Sequence, residues 1–195
     1  MKSDLCAGMT PLPDLDWSIG RFVSELASDR PVPGGGSAAA LSGCLGCSLG
    51  GMVCRILLRR PKLRAQAKAK IRERLRKLDR LSSEMEKLIR EDAAAYGRLV
   101  RAYRSRRGVA LARAAAIRSP LKICRAAAES QAVLNGLRSS VGPWLVSDVD
   151  AGQALLRGAF EAAAATVEVN FTGMRASGTK NYRGEISRWR KAFRR

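Results

Sequence analysis

Leu78, Leu81, Met85 and Leu88 alternate by three and four in a stretch, residues 62–104, with no proline and a single glycine, Gly97. That spacing predicts one very long helix with an apolar seam. Continuing the alternation reaches Asp92, Ala95, Leu99 and Ala102, so a lone carboxylate stands where its neighbours mark a buried position. Upstream, Ile19, Phe22, Val23 and Leu26 recur at helical spacing, which predicts a helix over 16–28 with Asp16 as its N-cap. Pro31, Pro33 and Gly34 to Gly36 then break the chain. Residues 37–58 are apolar on nearly every side and predict a central helix, closed by Arg59, Arg60 and Pro61. Beyond Gly108 a fourth helix is predicted over 109–135, with Pro120 starting or kinking its second half. A loop over 136–143 and a last helix over 147–171 follow, and residues 173–195 form a basic, glycine-punctuated tail without a firm helical pattern. β-branched runs with period two are missing. The prediction is an all-α helical bundle of about five helices around a central apolar one. The seam runs further than one small domain needs, which predicts a homodimer. Residues 1–15 read as an N-terminal extension, 16–174 as the domain and 175–195 as the tail.

Composition sharpens this picture at three points. The chain has 195 residues, enough for one domain with a real core, and Ala and Leu outnumber aromatics, as closely packed helices require. Lys and Arg total 36 against 17 Asp and Glu, a net charge of +19 that attracts polyanions. There are five cysteines and no histidine. The odd count and the grouping of Cys44, Cys47 and Cys54 in one apolar stretch argue for buried free thiols and a reducing, cytoplasmic setting. No second Cys pair and no His exist to complete a zinc site around Cys44 and Cys47, so no metal is expected. Proton transfer must then fall to carboxylates or Lys. Residues 32–54 carry no charge, yet they are mostly Gly, Ala and Ser. A buried helix suits them better than a membrane span, with Gly46 and Gly50 admitting a neighbouring backbone.

Three features could carry chemistry. Pro33-Gly34-Gly35-Gly36-Ser37 precedes a helix, and its glycines allow positive φ and present bare N–H groups to an anion at the helix N-terminus. Asp92 is the buried seam carboxylate. Ser147-Asp148-Val149-Asp150 opens the last helix, where Ser and Asp also serve as N-caps.

Taken in order, these residues resemble the cyclodeaminase/cyclohydrolase family of folate one-carbon enzymes. The resemblance runs through Leu26 to Ala40 with its Pro-Gly-Gly-Gly turn, Met52-Val53-Cys54, Glu91-Asp92-Ala93-Ala94-Ala95-Tyr96, Ser119-Pro120-Leu121, Ser147-Asp148 and Val167-Glu168-Val169-Asn170. It implies an all-α homodimer that binds a tetrahydrofolate derivative, with or without a polyglutamate tail, in a groove lined by Pro33, Gly34, Gly35, Gly36, Ser37 and Asn170. It implies release of ammonia from 5-formiminotetrahydrofolate, or interconversion of 5,10-methenyl- and 10-formyltetrahydrofolate. Asp92 and Asp148 match acids of the family's motifs, Lys62 is the surviving candidate cation, and no cofactor beyond the folate substrate is implied. The sequence departs from the family's usual pattern at Arg55, Leu63, Asp150 and Thr166. Two other readings stay open: a non-catalytic folate-binding relative, and a basic helical nucleic-acid-binding protein using Arg64 to Arg80 and the tail.

Overall fold

A computed structural model describes residues 12, 13 and 15–194. Among them are six α-helices and a closing 3₁₀ turn: α1 (Ile19–Leu26), α2 (Gly35–Leu58), α3 (Ala65–Ser105), α4 (Val109–Arg138), α5 (Pro143–Asn170), α6 (Ala176–Arg190) and the turn Lys191–Phe193. The all-α expectation holds, with one helix more than anticipated. At 41 residues α3 is the longest and spans about 62 Å.

Helix ends differ from the sequence reading where a better cap stood nearby. Ser18, not Asp16, caps α1: its Oγ accepts from the Arg21 N–H at 3.1 Å, three residues on. Helix α4 runs through Pro120 to Arg138, and α5 starts at Pro143, whose ring presets φ for a first turn. Asp148 therefore lies inside α5 and is not its cap. The segment read as a tail is also part of the fold. Ile186 and Phe193 are buried, the Phe193 ring lies 4.8 Å from Phe160, and Arg183 and Arg190 pair with Glu168 and Glu161 of α5. Exposed ion pairs contribute little singly, so the apolar anchors hold α6.

Helix α2 is the axis. It packs antiparallel against α5, with Gly46 facing Gly152, and antiparallel against α3, with Gly43 facing Met85. A Cβ on Gly46 would stand 2.9 Å from the Gly152 carbonyl oxygen, and one on Gly50 would stand 2.6 Å from Leu134 Cδ1. The glycines are thus set by close backbone approach. Although α2 is long and apolar enough to cross a membrane, half of that stretch is buried inside the fold. The α3 seam residues Leu78, Leu81, Met85 and Leu88 are also fully buried within the chain. Their seam is consumed by α2 and α4, so it no longer argues for a second copy.

Cys44, Cys47, Cys54 and Cys124 are free and buried. Burial pushes their thiols up to about 12, 11, 11 and 12. Cys6 lies outside the described residues. The native protein at pH 7.5 is expected to react rapidly with an aromatic disulfide reagent at no more than one thiol per chain, and at all five in denaturant. Fast labelling of two or more would contradict this core.

Candidate functional site

At the N-terminal end of α2 a cavity of about 480 Å³ opens between four segments. Its walls are Pro31 and Val32 of the entry turn, Gly34 to Gly36, Asp92 and Tyr96 of α3, Ala116 of α4, and Ala162, Ala165, Thr166, Val169 and Asn170 of α5. The walls are mostly small and apolar. Asp92 is their one carboxylate.

The glycines serve this cavity in a way the sequence did not anticipate. None has positive φ; Gly34 caps α2 with an extended backbone, and Gly35 and Gly36 already lie in the helix. What matters is the missing side chain. A Cβ on Gly36 would overlap the Asp92 carboxylate, while one on Gly35 would only touch Thr166 Oγ1 at 3.6 Å. Gly36 therefore lets a buried acid lie flat against the first turn of a helix, the end with the positive dipole. Ser37 next to it is fully buried and donates from Oγ to the Ile89 carbonyl at 2.9 Å. This bond ties α2 to α3 one turn before Asp92, so the Ser37 hydroxyl braces the wall and does not face the cavity. Pro33 is buried and is not among the residues that line the cavity.

Asp92 is 8% exposed. Desolvation raises its carboxyl from 3.8 to about 6, and the Ser119 hydroxyl beside it acts weakly in the opposite sense. No cation among the described residues is paired with it. Ser119 Oγ is itself buried without a well-aligned hydrogen bond, so it is not fully committed to the carboxylate.

Asn170 has a physical role that follows from Pro120. Proline at 120 has no N–H, and it orphans the carbonyl four residues earlier, that of Ala116. Asn170 fills the gap: its Nδ2 donates to the Ala116 carbonyl at 3.0 Å. Two motif pieces distant in sequence are thus one unit, joining α4 to the end of α5 at the cavity wall. The Asn170 Oδ1 is left as an acceptor. Asn170→Ala is expected to cost about 1–2 kcal/mol in the native background. The cost should fall by about 1 kcal/mol in a Pro120→Ala background, where the restored backbone N–H can bond the Ala116 carbonyl itself. Urea unfolding of the four proteins measures the coupling, and equal costs in both backgrounds would refute it.

The structure brings Asp92, Gly34 to Gly36 and Asn170 together, and separates them from the other two candidates. Lys62 lies in the exposed turn after α2, a helix about 36 Å long, at the opposite end of the bundle. Asp148 sits 14 residues before Ala162 on α5, about 21 Å along the axis. Within one chain neither reaches the cavity. Of the departures, Arg55 pairs with Asp79 and Asp150 pairs with Arg138, both outside this cavity. Only Thr166 lines it, and its Oγ1 bonds back to the Ala162 carbonyl at 3.0 Å. Tyr96 was missed as a wall residue, although its position four after Asp92 on one helix was the available signal.

These contacts join the glycine turn to the buried acid across two helices. The formiminotransferase-cyclodeaminase family model matches residues 18–187. The chain belongs to this family. Among relatives, methenyltetrahydrofolate cyclohydrolase of Methylorubrum extorquens is 35% identical over 86 residues, 44% of this chain and 41% of that protein. The match thus spans about two-fifths of that relative's length. Formiminotetrahydrofolate cyclodeaminase from Thermotoga maritima, a solved structure, shares the fold with a TM-score of 0.84, covering 91% of this chain and 90% of that one at 21% identity. The matched residues 18–187 take in α1 and most of α6, so the family match reaches into the segment read as a tail.

Proposed function

We propose that this member of the family acts on a tetrahydrofolate one-carbon unit, as a methenyltetrahydrofolate cyclohydrolase or a formiminotetrahydrofolate cyclodeaminase, with Asp92 as the proton-transfer group. The observation that carries the reading is a buried carboxyl raised to about 6, at the floor of a mostly apolar cavity formed by the glycine turn. A carboxyl in that range exchanges its proton near neutral pH, which is what general acid–base catalysis needs. A cavity of this size and polarity suits a flat heterocycle held by few polar groups.

In hydrolysis of the methenyl bridge, water adds to the cationic carbon between N5 and N10 and loses a proton. Ionised Asp92 accepts that proton and also favours the cation electrostatically. The proton then passes to the nitrogen that leaves when the bridge opens, while the added hydroxyl gives up its remaining proton to solvent as the formyl C=O forms, so one proton is released overall. In deamination, N10 attacks the carbon of the protonated formimino group, and Asp92 carries the N10 proton to the resulting amino group, which departs as ammonia and leaves the methenyl cation. Both schemes need one acid that takes and returns a proton. The basic surface also favours approach of a polyglutamyl folate.

Absorbance of 5,10-methenyltetrahydrofolate tests the reading directly. Its loss above the buffer rate supports the cyclohydrolase, and its appearance from 5-formiminotetrahydrofolate supports the cyclodeaminase. Silence with both substrates, from a folded protein, would sink it.

A further inference from the structure

Among the described residues, buried hydroxyls are committed to a carbonyl, with one exception. Ser37 donates to Ile89 at 2.9 Å, Ser130 to Ala126 at 2.8 Å, and Thr179 to Ala176 at 3.1 Å. Ser119 is also buried, at 5% exposed, yet its Oγ has no aligned partner. An orphaned hydroxyl in the interior costs free energy and calls for a reason.

Its own helix offers a simpler partner. A helical serine commonly turns back to the carbonyl three or four residues earlier, here that of Ala116 or Ala115. Pro120 leaves the Ala116 carbonyl open, but the Asn170 Nδ2 already occupies it at 3.0 Å. The Ser119 hydroxyl acts instead on Asp92, where it lowers the carboxyl that burial raises.

Charged groups do not take that place. Helices α2 and α5 bring only Gly35, Gly36, alanines, Val169, Thr166 and Asn170 to the cavity, and α3 adds the Tyr96 phenol. The charges near Ser119 are Glu91 and Arg98 of α3 and Arg118 and Lys122 of α4, which line a separate cleft of about 180 Å³. Lys122 pairs there with Glu91 at 3.2 Å. Burial and the Ser119 hydroxyl are what move the Asp92 carboxyl.

A carboxyl that takes and returns a proton in each turnover needs a neighbour that suits both forms. A backbone N–H only donates and so favours the ionised form, whereas a carbonyl only accepts and so favours the protonated one. A hydroxyl with no other bond serves both by rotating. We propose that Ser119 is a positioning residue for the cavity acid: it donates to Asp92 when the acid is ionised and accepts from it when the acid is protonated. Asn170 keeps the hydroxyl free for this by holding the Ala116 carbonyl. The catalytic consequence rests on the folate reading above, whereas the pairing of Ser119 with Asp92 does not. In that reaction the carboxyl keeps one orientation through both halves of the proton transfer.

Thr and Val at position 119 share a shape and differ by the hydroxyl, so together they separate hydrogen bonding from packing. Ser119→Thr is expected to keep the rising limb of the pH profile of hydrolysis close to that of wild type. Ser119→Val is expected to move the limb to higher pH and to lower kcat at pH 6 about tenfold, with little change in KM. Identical limbs in the two variants overturn the proposal.

A second readout needs no turnover. Loss of the hydroxyl raises the folded carboxyl further, so the cost of ionising it develops over a wider pH range. With Ser119 in place, the stability gap between wild type and Asp92→Asn is complete above about pH 6. In a Ser119→Val background the gap is expected to keep growing beyond that pH, and to stay absent below about pH 4. A gap that levels off at the same pH in both backgrounds overturns the pairing. Asn170→Ala is expected to widen the range in the same direction, because it returns the Ala116 carbonyl to Ser119; an unchanged range there overturns the role given to Asn170. If wild type turns over neither folate, the folate reading fails while the unfolding measurements still decide the pairing.

Discussion

Asp92→Asn is expected to abolish turnover while making the protein more stable at neutral pH. The side chain keeps its shape, so the cavity survives, but it can no longer take a proton. Loss of a positioned general acid–base lowers rates by about 10²–10⁴. The stability gain follows from linkage. The folded carboxyl lies above its ordinary value, 3.8 against about 6, so the folded state holds its proton more tightly than the unfolded state does. The ionisation penalty is therefore absent below about pH 4, grows between pH 4 and 6, and is complete above 6. A shift of that size corresponds to about 3 kcal/mol at most. Wild type should lose stability relative to Asp92→Asn across that window, with a melting temperature lower by up to about 6–12 °C at pH 8 and no difference at pH 4. Thermal unfolding of both proteins at the two pH values checks this. Equal melting temperatures at pH 8 would mean that burial of the acid is offset in the native state.

Gly36→Ala carries the second large effect. Gly36 has helical backbone angles, so alanine there adds no strain and even gains about 1 kcal/mol of helix propensity. The harm is confined to one contact, since the new Cβ overlaps the Asp92 carboxylate. Displacing a catalytic group by about an ångström is worth about 10² in rate, and crowding of this kind costs about 1–3 kcal/mol. The cause is separable by pairing. In an Asp92→Ala background, Gly36→Ala should be neutral or stabilising, because nothing remains to collide with. A similar loss of stability in both backgrounds would show that Gly36 answers to something other than the acid.

Much of this was legible from spacing. The α3 seam alone places Asp92 in the interior, because alternation by three and four continues through it. The central place of α2 followed from its lack of a polar face, and the free buried cysteines from their grouping. What escaped the sequence was mostly tertiary. Periodicity cannot tell whether a helical seam is used within the chain or by a second copy, and here α2 and α4 use it. The glycine turn was read as a positive-φ anion cradle, whereas the space beside Gly36 is set by a carboxylate 56 residues away. The tail looked unstructured because its helix, α6, has few apolar positions, yet Ile186 and Phe193 anchor it. The link between Pro120 and Asn170 is invisible in one dimension, since it depends on which side chain meets an orphaned carbonyl. The distance of Asp148 from Asp92 along the bundle likewise needed the fold.

The most direct measurement of the central claim is the pH dependence of methenyltetrahydrofolate hydrolysis, corrected for the buffer rate, in wild type and Asp92→Asn. The expected profile for wild type rises through an apparent pKa of about 6, as the buried carboxyl becomes the base, and Asp92→Asn loses that limb together with the rate. A wild-type profile that is flat from pH 5 to 7.5, or a limb that persists in Asp92→Asn, would contradict the assignment of Asp92 as the proton-transfer group.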